Sequence, residues 1–95
     1  MNYDSAQIRK LARGVQSTAN GIRDQTSGSL RAARVSVTEN LCGKTADALT
    51  AALEELGGDV SKMVMALDGI ASELYAYAKR LDEADRQAQQ LIDKQ

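Results

Sequence analysis

The sequence predicts an all-α protein, an antiparallel helix-turn-helix hairpin that forms a single domain over residues 1–95. Three observations lead to this fold class. The chain lacks proline, tryptophan and phenylalanine and is rich in alanine, leucine, glutamine, glutamate and arginine, a composition typical of helical bundles. Its second half carries a long heptad pattern, and the one sharp break in the chain precedes that pattern. We therefore predict helix one at about 5–38, a turn at about 39–43 and helix two at about 44–92.

The first helix is predicted to start at Asp4 or Ser5, because either side chain can accept hydrogen bonds from the exposed amides of a first turn. Gln7 follows Asp4 by three residues and can complete a capping box. The predicted apolar face shifts register near residues 25–26 and consists of Ile8, Leu11, Val15, Ile22, Leu30, Ala33 and Val37.

Glycines recur every seven residues beside this thin apolar face, at Gly14, Gly21 and Gly28. Each glycine inside a helix costs about 0.5–1 kcal/mol relative to alanine. Two interpretations stay open. The first helix is either a weak helix held by its partner, or it presents a smooth stripe that lets another backbone come close.

The break between the helices is the segment Asn40-Leu41-Cys42-Gly43. Gly43 gives the backbone the freedom to turn, and either Asn40 or Thr38 could cap the second helix. Cys42 is the only cysteine, so it cannot form an internal disulfide, and we interpret it as a small turn residue.

The second helix carries eleven apolar positions that alternate steps of four and three residues, which we call the heptad stripe. Gly57 and Gly58 lie off this stripe, and its phase continues through them, so one continuous helix is expected. The stripe consists of Leu56, Val60, Met63, Leu67, Ile70, Leu74, Tyr77, Leu81, Ala84, Ala88 and Leu91. We predict its first seven residues, Leu56 to Tyr77, as a partner interface.

The two predicted helices differ in length, at roughly 50 Å and roughly 78 Å for a rise of 1.5 Å per residue. A fold-back at residues 39–43 would place Ser5 beside about residue 75, so that the chain beyond Tyr77 overhangs. Two helices also leave much of the heptad stripe exposed. We therefore expect a homodimer or a helical heteropartner, most simply two hairpins that form a four-helix bundle.

Charge is distributed unevenly between the two halves. Residues 1–38 carry six basic and two acidic side chains, whereas residues 39–95 carry six basic and eleven acidic ones. The halves should attract each other, which argues against nucleic-acid binding, since the basic residues have an acidic partner nearby and no interleaved aromatic residues. Asp82 and Arg86 are four residues apart, a spacing suited to a weak surface ion pair.

The sequence predicts neither an enzyme nor a metal or cofactor site. It has no histidine and one cysteine, its carboxylates are scattered, and it has no glycine-rich phosphate loop or nucleophile elbow. The N-terminus lacks the apolar core of a signal peptide, and no apolar run approaches the roughly 20 residues of a membrane span. We expect no membrane insertion and, if the protein is exported, a route without a cleaved signal.

Two segments resemble motifs of the WXG family, small helical hairpins exported by type VII secretion systems. The segment 41–49, which begins Leu41-Cys42-Gly43, resembles the family's Trp-x-Gly turn with a following basic residue and small residues. The segment from Leu81 to Asp85 is similar to its C-terminal export signal, an aromatic residue followed four positions later by an acid. Leucine replaces the aromatic residue in both segments. Leu-x-Gly is the form found in the LXG branch of the same superfamily, whose toxins carry long helical targeting domains.

The resemblance implies a non-enzymatic protein that is itself secreted or that serves as a targeting partner for an LXG toxin. It would reside in the cytoplasm before export, and its partners would be a WXG-like protein or the N-terminal domain of such a toxin, together with the secretion machinery. Leu81 and Asp85 are the export-signal candidates, with Tyr77 and Leu81 as a second choice. Alternatively Leu81 is one more position of the heptad stripe, and the protein is a structural or regulatory coiled-coil adaptor.

Overall fold

The computed structural model describes residues 4–93, which form two α-helices and no strand. Helix α1 spans Ser5–Asn40 and helix α2 spans Gly43–Asp93. The chain reverses between them, so the fold is the predicted all-α antiparallel hairpin. Helix α2 is continuous through Gly57 and Gly58, as the unbroken heptad phase indicated.

A capping box starts α1. The backbone N–H of Gln7 donates to Asp4 Oδ1 at 2.8 Å, and the backbone N–H of Asp4 donates to Gln7 Oε1 at 3.0 Å. These two bonds satisfy amides that have no partner within the helix, which fixes the point where the helix begins. The predicted pairing of Asp4 with Gln7 is confirmed.

The residues expected to cap α2 instead close the end of α1. The Thr38 hydroxyl donates to the Arg34 carbonyl at 2.9 Å, and Asn40 Nδ2 donates to the Ser36 carbonyl at 2.8 Å. Carbonyls one turn back lie within reach of these short side chains, so the prediction of Thr38 or Asn40 as a cap for α2 is wrong.

Only two residues connect the helices, and Gly43 makes the reversal. Its φ is +72°, in the left-handed region that glycine adopts without steric cost. No other residue in the described part of the chain has a positive φ. The expectation that Gly43 provides the freedom to turn is confirmed.

The chain divides into two compact units. Unit 1 combines residues up to Ser17 with residues from Leu67 onward, and unit 2 is Thr18–Ala66, which includes the turn. Each unit therefore contains one stretch of α1 packed against one stretch of α2.

Small residues form the buried interior of both units. In unit 1 the buried side chains are Ile8 and Ala12 from α1 with Ala71 and Ala78 from α2. In unit 2, Ala19 and Val64 are buried. Alanine at a helix contact lets the two backbones approach more closely than leucine would.

In unit 2 the predicted register shift of α1 is visible in the burial pattern. Ile22, Thr26 and Leu30 are half-buried at steps of four residues, where a strict heptad would alternate four and three. Leu30 reaches Gly57 of α2, and a Cβ atom added at Gly57 would lie 3.3 Å from Leu30 Cδ1. Glycine at position 57 thus makes room for the leucine side chain.

The three regularly spaced glycines of α1 face open space. A Cβ atom added at Gly14, Gly21 or Gly28 would meet no neighbouring side chain and no backbone of the other helix within 4 Å. The close backbone approach that these glycines would permit is therefore not made by α2.

Within residues 4–93, neither helix contains a stretch apolar enough and long enough to cross a membrane.

Candidate partner-binding site

Four large apolar residues of α2 remain about half exposed at seven-residue intervals. They are Leu56, Met63, Ile70 and Tyr77, with exposed fractions between 47% and 50%. The interior follows Val64, Ala71 and Ala78, each one position later in the sequence. Because one residue corresponds to about 100° around a helix, this offset turns the larger side chains away from α1.

Four further residues of the heptad stripe lie closer to α1. Val60, Leu67, Leu74 and Leu81 are half-buried, at the same seven-residue spacing. The stripe is thus wide enough to have one edge against α1 and another edge in solvent.

In unit 1 the exposed edge borders an apolar groove of about 520 Å³, which we call the Tyr77 groove. It is lined by Gln7, Ile8, Lys10, Leu11, Leu74 and Tyr77. Leu11 was predicted on the face of α1 that meets the second helix, but it is 56% exposed and lines this groove. The neighbouring Ala12 occupies the buried position, since the closely packed helices leave room there for a small side chain.

Unit 2 has a comparable groove of about 490 Å³, which we call the Leu56 groove. Its lining consists of Ile22, Gln25, Thr26, Ser29, Leu30, Ala33, Leu53 and Leu56. Each groove has both helices in its walls and one exposed heptad residue at its edge, an arrangement that can receive apolar side chains from another helix.

Two cations lie beside the Tyr77 groove. Lys10 is part of its lining, and the Arg80 guanidinium lies 5.8 Å from the centre of the Tyr77 ring, within the range of a cation–π contact. The groove therefore combines an apolar floor with positive charge at its edges.

An ion pair joins the two helices in unit 1. Arg9 Nη2 donates to Asp82 Oδ2 at 2.6 Å. The predicted pair of Asp82 with Arg86 is not formed, because Asp82 binds Arg9 and Arg86 binds Glu83 one turn back. The opposite charge of the two halves of the sequence indicated that an ion pair such as Arg9 with Asp82 would form, but it did not specify which residues take part.

Hydrogen bonds from Ser5 and from Arg9, together with the positive charge of Arg9, hold the pKa of Asp82 below its usual value of 3.8. A carboxyl whose pKa is lower in the folded state stabilises the fold above its unfolded pKa. That stabilisation is lost as the pH falls through the lower, folded-state pKa. The effect is small because both side chains are partly exposed to water, which screens the charges.

We therefore expect the melting temperature of the wild-type protein to fall more steeply below about pH 4 than that of an Asp82→Asn variant. Thermal melts followed by circular dichroism between pH 2 and pH 7 test this. An Asp93→Asn variant should keep the wild-type profile, because Asp93 is exposed near the end of α2 and accepts a hydrogen bond from Gln89 of the same helix. Identical acid profiles for wild type and Asp82→Asn would contradict the assignment.

The contact between Ser5 and Asp82 also shows where the overhang begins. Ser5 was expected beside about residue 75, but the first turn of α1 lies near Asp82, which forms an ion pair with Arg9 and whose pKa Ser5 helps to lower. The connection is shorter than expected, since α1 ends at Asn40 and α2 begins at Gly43, and this moves the residue opposite Ser5 to about 78 by chain count. Helix side chains point toward their own N-terminus, so in an antiparallel pair they lean toward each other across the remaining turn. The described residues beyond this contact, Glu83–Asp93, form what we call the C-terminal segment, and all of them are exposed.

The two export-signal candidates differ in exposure. Leu81 is half-buried just before Asp82, the residue that pairs with Arg9, and Asp85 is exposed in the C-terminal segment. In unit 2 the predicted turn residues Leu41, Cys42 and Gly43 are all exposed. Among residues 4–93, no group of three or more histidine, cysteine or acidic side chains is arranged to hold a metal ion.

Comparison with protein families places these features in context. The model of a family described as WXG100, proteins of 100 residues with WXG, matches residues 1–86. The chain belongs to the WXG100 family. The match covers α1, the turn and most of α2, and it ends within the C-terminal segment. No curated protein matches the chain, and no solved structure does.

Membership of the WXG100 family connects the chain with type VII secretion. WXG100 proteins are small secreted helical proteins that are generally not enzymes, and they typically form helical dimers.

Sequence reasoning missed the buried alanines and the ion pair of Arg9 with Asp82. The spacing by seven of Ala12 and Ala19, and of Ala71 and Ala78, was visible in the sequence. Larger neighbours at the same spacing gave a stronger apolar pattern and concealed it.

Proposed function

We propose that this WXG100 protein acts in type VII secretion by helix–helix pairing, either as a secreted substrate or as the targeting partner of an LXG toxin. The partner would be a second hairpin or the helical N-terminal domain of the toxin, and the assembly would be a four-helix bundle. The protein would wait in the cytoplasm and leave without a cleaved signal peptide.

The exposed heptad residues of α2 are the observation that carries this proposal. Large apolar side chains spaced by seven residues are what a coiled-coil partner binds, and these remain about half exposed after α1 has packed. The Tyr77 and Leu56 grooves lie beside them and offer sites for the apolar side chains of another helix. The partner interface of Leu56, Val60, Met63, Leu67, Ile70, Leu74 and Tyr77 stays a proposal, in which the half-exposed residues make the first contacts.

Leu81 and Asp85 are proposed as the export signal. They are four residues apart and therefore lie on the same side of α2. Asp85 lies beyond the last contact with α1, where a receptor can reach it, and Leu81 is only half-buried. A receptor could therefore bind this turn of the helix without opening the hairpin.

Export from a bacterium that carries a type VII apparatus tests this function. We expect Leu81→Ala and Asp85→Ala variants to accumulate in cells and to be lost from the culture medium. A Gln89→Ala variant, one turn beyond Asp85, is the matched control and should be exported like wild type. Folded content should be checked for each variant by circular dichroism.

Normal export of both variants would show that the signal lies elsewhere. If wild type itself remained in cells that secrete other WXG100 proteins, and no toxin depended on it for export, the adaptor alternative would replace the proposed function.

A further inference from the structure

The C-terminal segment is a helical end with apolar residues that its own hairpin does not cover. Leu91 and Ile92 are each 65% exposed, and Ala84 and Ala88 continue the heptad stripe toward them. Because α1 begins at Ser5, and its first turns already lie beside Asp82, which forms an ion pair with Arg9, no residue of α1 is left to pack against this segment.

The Tyr77 groove is the complementary feature of the same compact unit. Its lining includes the apolar side chains of Ile8, Leu11 and Leu74 together with the ring of Tyr77. Leu11 is more than half exposed, so burying it would remove a large apolar surface from water.

Charge favours the segment as the occupant of this groove. The groove has Lys10 in its lining and Arg80 beside Tyr77. The segment Glu83–Asp93 carries three acidic side chains and one basic side chain, and that basic residue, Arg86, is bound to Glu83. Asp85 and Asp93 therefore supply negative charge that can face the positive edges of the groove.

We propose that the C-terminal segment of one copy docks into the Tyr77 groove of a second copy, and that the exchange is reciprocal. The inference rests on the proposed partner binding at Leu74 and Tyr77, and it names the partner as a second copy of this chain. A two-fold arrangement uses the same two surfaces on both copies and closes the assembly as a dimer.

The heptad stripe sets the register of this contact. Two antiparallel C-terminal stretches of α2 that meet with Leu81 opposite Ala84 bring Tyr77 opposite Ala88 and Leu74 opposite Leu91. Small residues at 84 and 88 permit close approach at the centre of the contact, and large ones fill its ends. Ile92 follows Leu91 on the side that faces α1, which places it near Leu11.

The like charges at the centre of this register are already neutralised. The proposed register brings Asp82 of one copy near Glu83 of the other. In each copy, however, Asp82 forms an ion pair with Arg9, and Glu83 forms one with Arg86. The intramolecular ion pairs therefore remove the main electrostatic objection to the contact.

A cross-linking experiment between two distinguishable full-length chains tests the proposal. Both chains carry Cys42→Ser, since Cys42 is an exposed free thiol. One chain also carries Leu11→Cys and a size tag, and the other carries Ile92→Cys. Under mild oxidation we expect a disulfide between the two chains, seen as a band of their summed mass that disappears on reduction. A chain with Val35→Cys in place of Leu11→Cys is the control, because Val35 is similarly exposed but belongs to unit 2.

Light scattering of the Cys42→Ser protein and of its Leu91→Asp and Ile92→Asp double variant gives an independent readout. We expect a dimer for the first and a dissociation constant at least tenfold higher for the second. A dimer that forms no 11-to-92 disulfide and is unaffected by the double variant would overturn the proposal. So would a monomer, or a protein that associates only with a different helical chain.

Failure of this inference is distinguishable from failure of the proposed function. If the disulfide does not form but export and partner binding are intact, the docking of the C-terminal segment into the Tyr77 groove is wrong and the proposed secretion function still holds. If the disulfide forms but the protein is not exported, the docking of the C-terminal segment is supported and the proposed secretion function is wrong.

Discussion

Replacing Ala71 with leucine is expected to lower the free energy of unfolding by about 1–3 kcal/mol, the usual cost of adding volume to a packed interior. Ala71 is only 1% exposed and lies between the two helices of unit 1. A leucine there must push the helices apart, which also weakens the contacts made by Ala12 and Ala78. For a domain of this size the melting temperature should fall by about 5–20 °C, measured by circular dichroism.

An Ala76→Leu variant is the matched control for this experiment. Ala76 belongs to the same helix and unit but is exposed, so the same substitution adds no volume to the interior. Its melting temperature should stay within a few degrees of wild type. Equal losses for both variants would show that leucine disturbs α2 for a reason other than packing against α1.

Replacing Ile70 with aspartate is expected to weaken partner binding by about thirtyfold or more, corresponding to about 2 kcal/mol for a central apolar contact. Ile70 is 48% exposed, so the hairpin itself tolerates a charge at this position. Burial of that charge against a helical partner would cost much more. Titration of the variant against a helical partner that binds the exposed edge of the heptad stripe gives the dissociation constant.

Ser72→Asp provides the control for charge alone. Ser72 is exposed two residues along the same helix, about 200° around from Ile70, so its carboxylate should remain in solvent. Partner affinity within about threefold of wild type is expected for this variant. Equal weakening by both substitutions would mean that the partner does not bind the exposed edge of the heptad stripe.

Local sequence signals predicted the elements of the fold well. The capping box of Asp4 and Gln7, the turn at Gly43 and the continuity of α2 each depend on residues within one or two turns of one another. Such features need no knowledge of tertiary packing. Asn40 was misassigned because an asparagine between two helices can bond to either of them, and only the backbone path decides which.

Rotation of one helix against the other was much harder to predict. Apolar periodicity locates the apolar side of α2. Two adjacent columns of residues fit it at the same spacing, Met63 with Ile70 and Val64 with Ala71. Close packing chose the smaller column for the interior, since it allows a shorter distance between the helices. The same choice moved Leu11 from the predicted interior to the edge of the Tyr77 groove.

The alanine-lined interior has a consequence for how much of this protein a cell can hold. An interior of small side chains gives a lone hairpin little stabilisation, so a partner that binds only the folded form must supply the rest by mass action. Copies made in excess of their partner would spend more time unfolded and would be degraded first. Proteolysis would then match the abundance of the chain to that of its partner without any regulator of transcription.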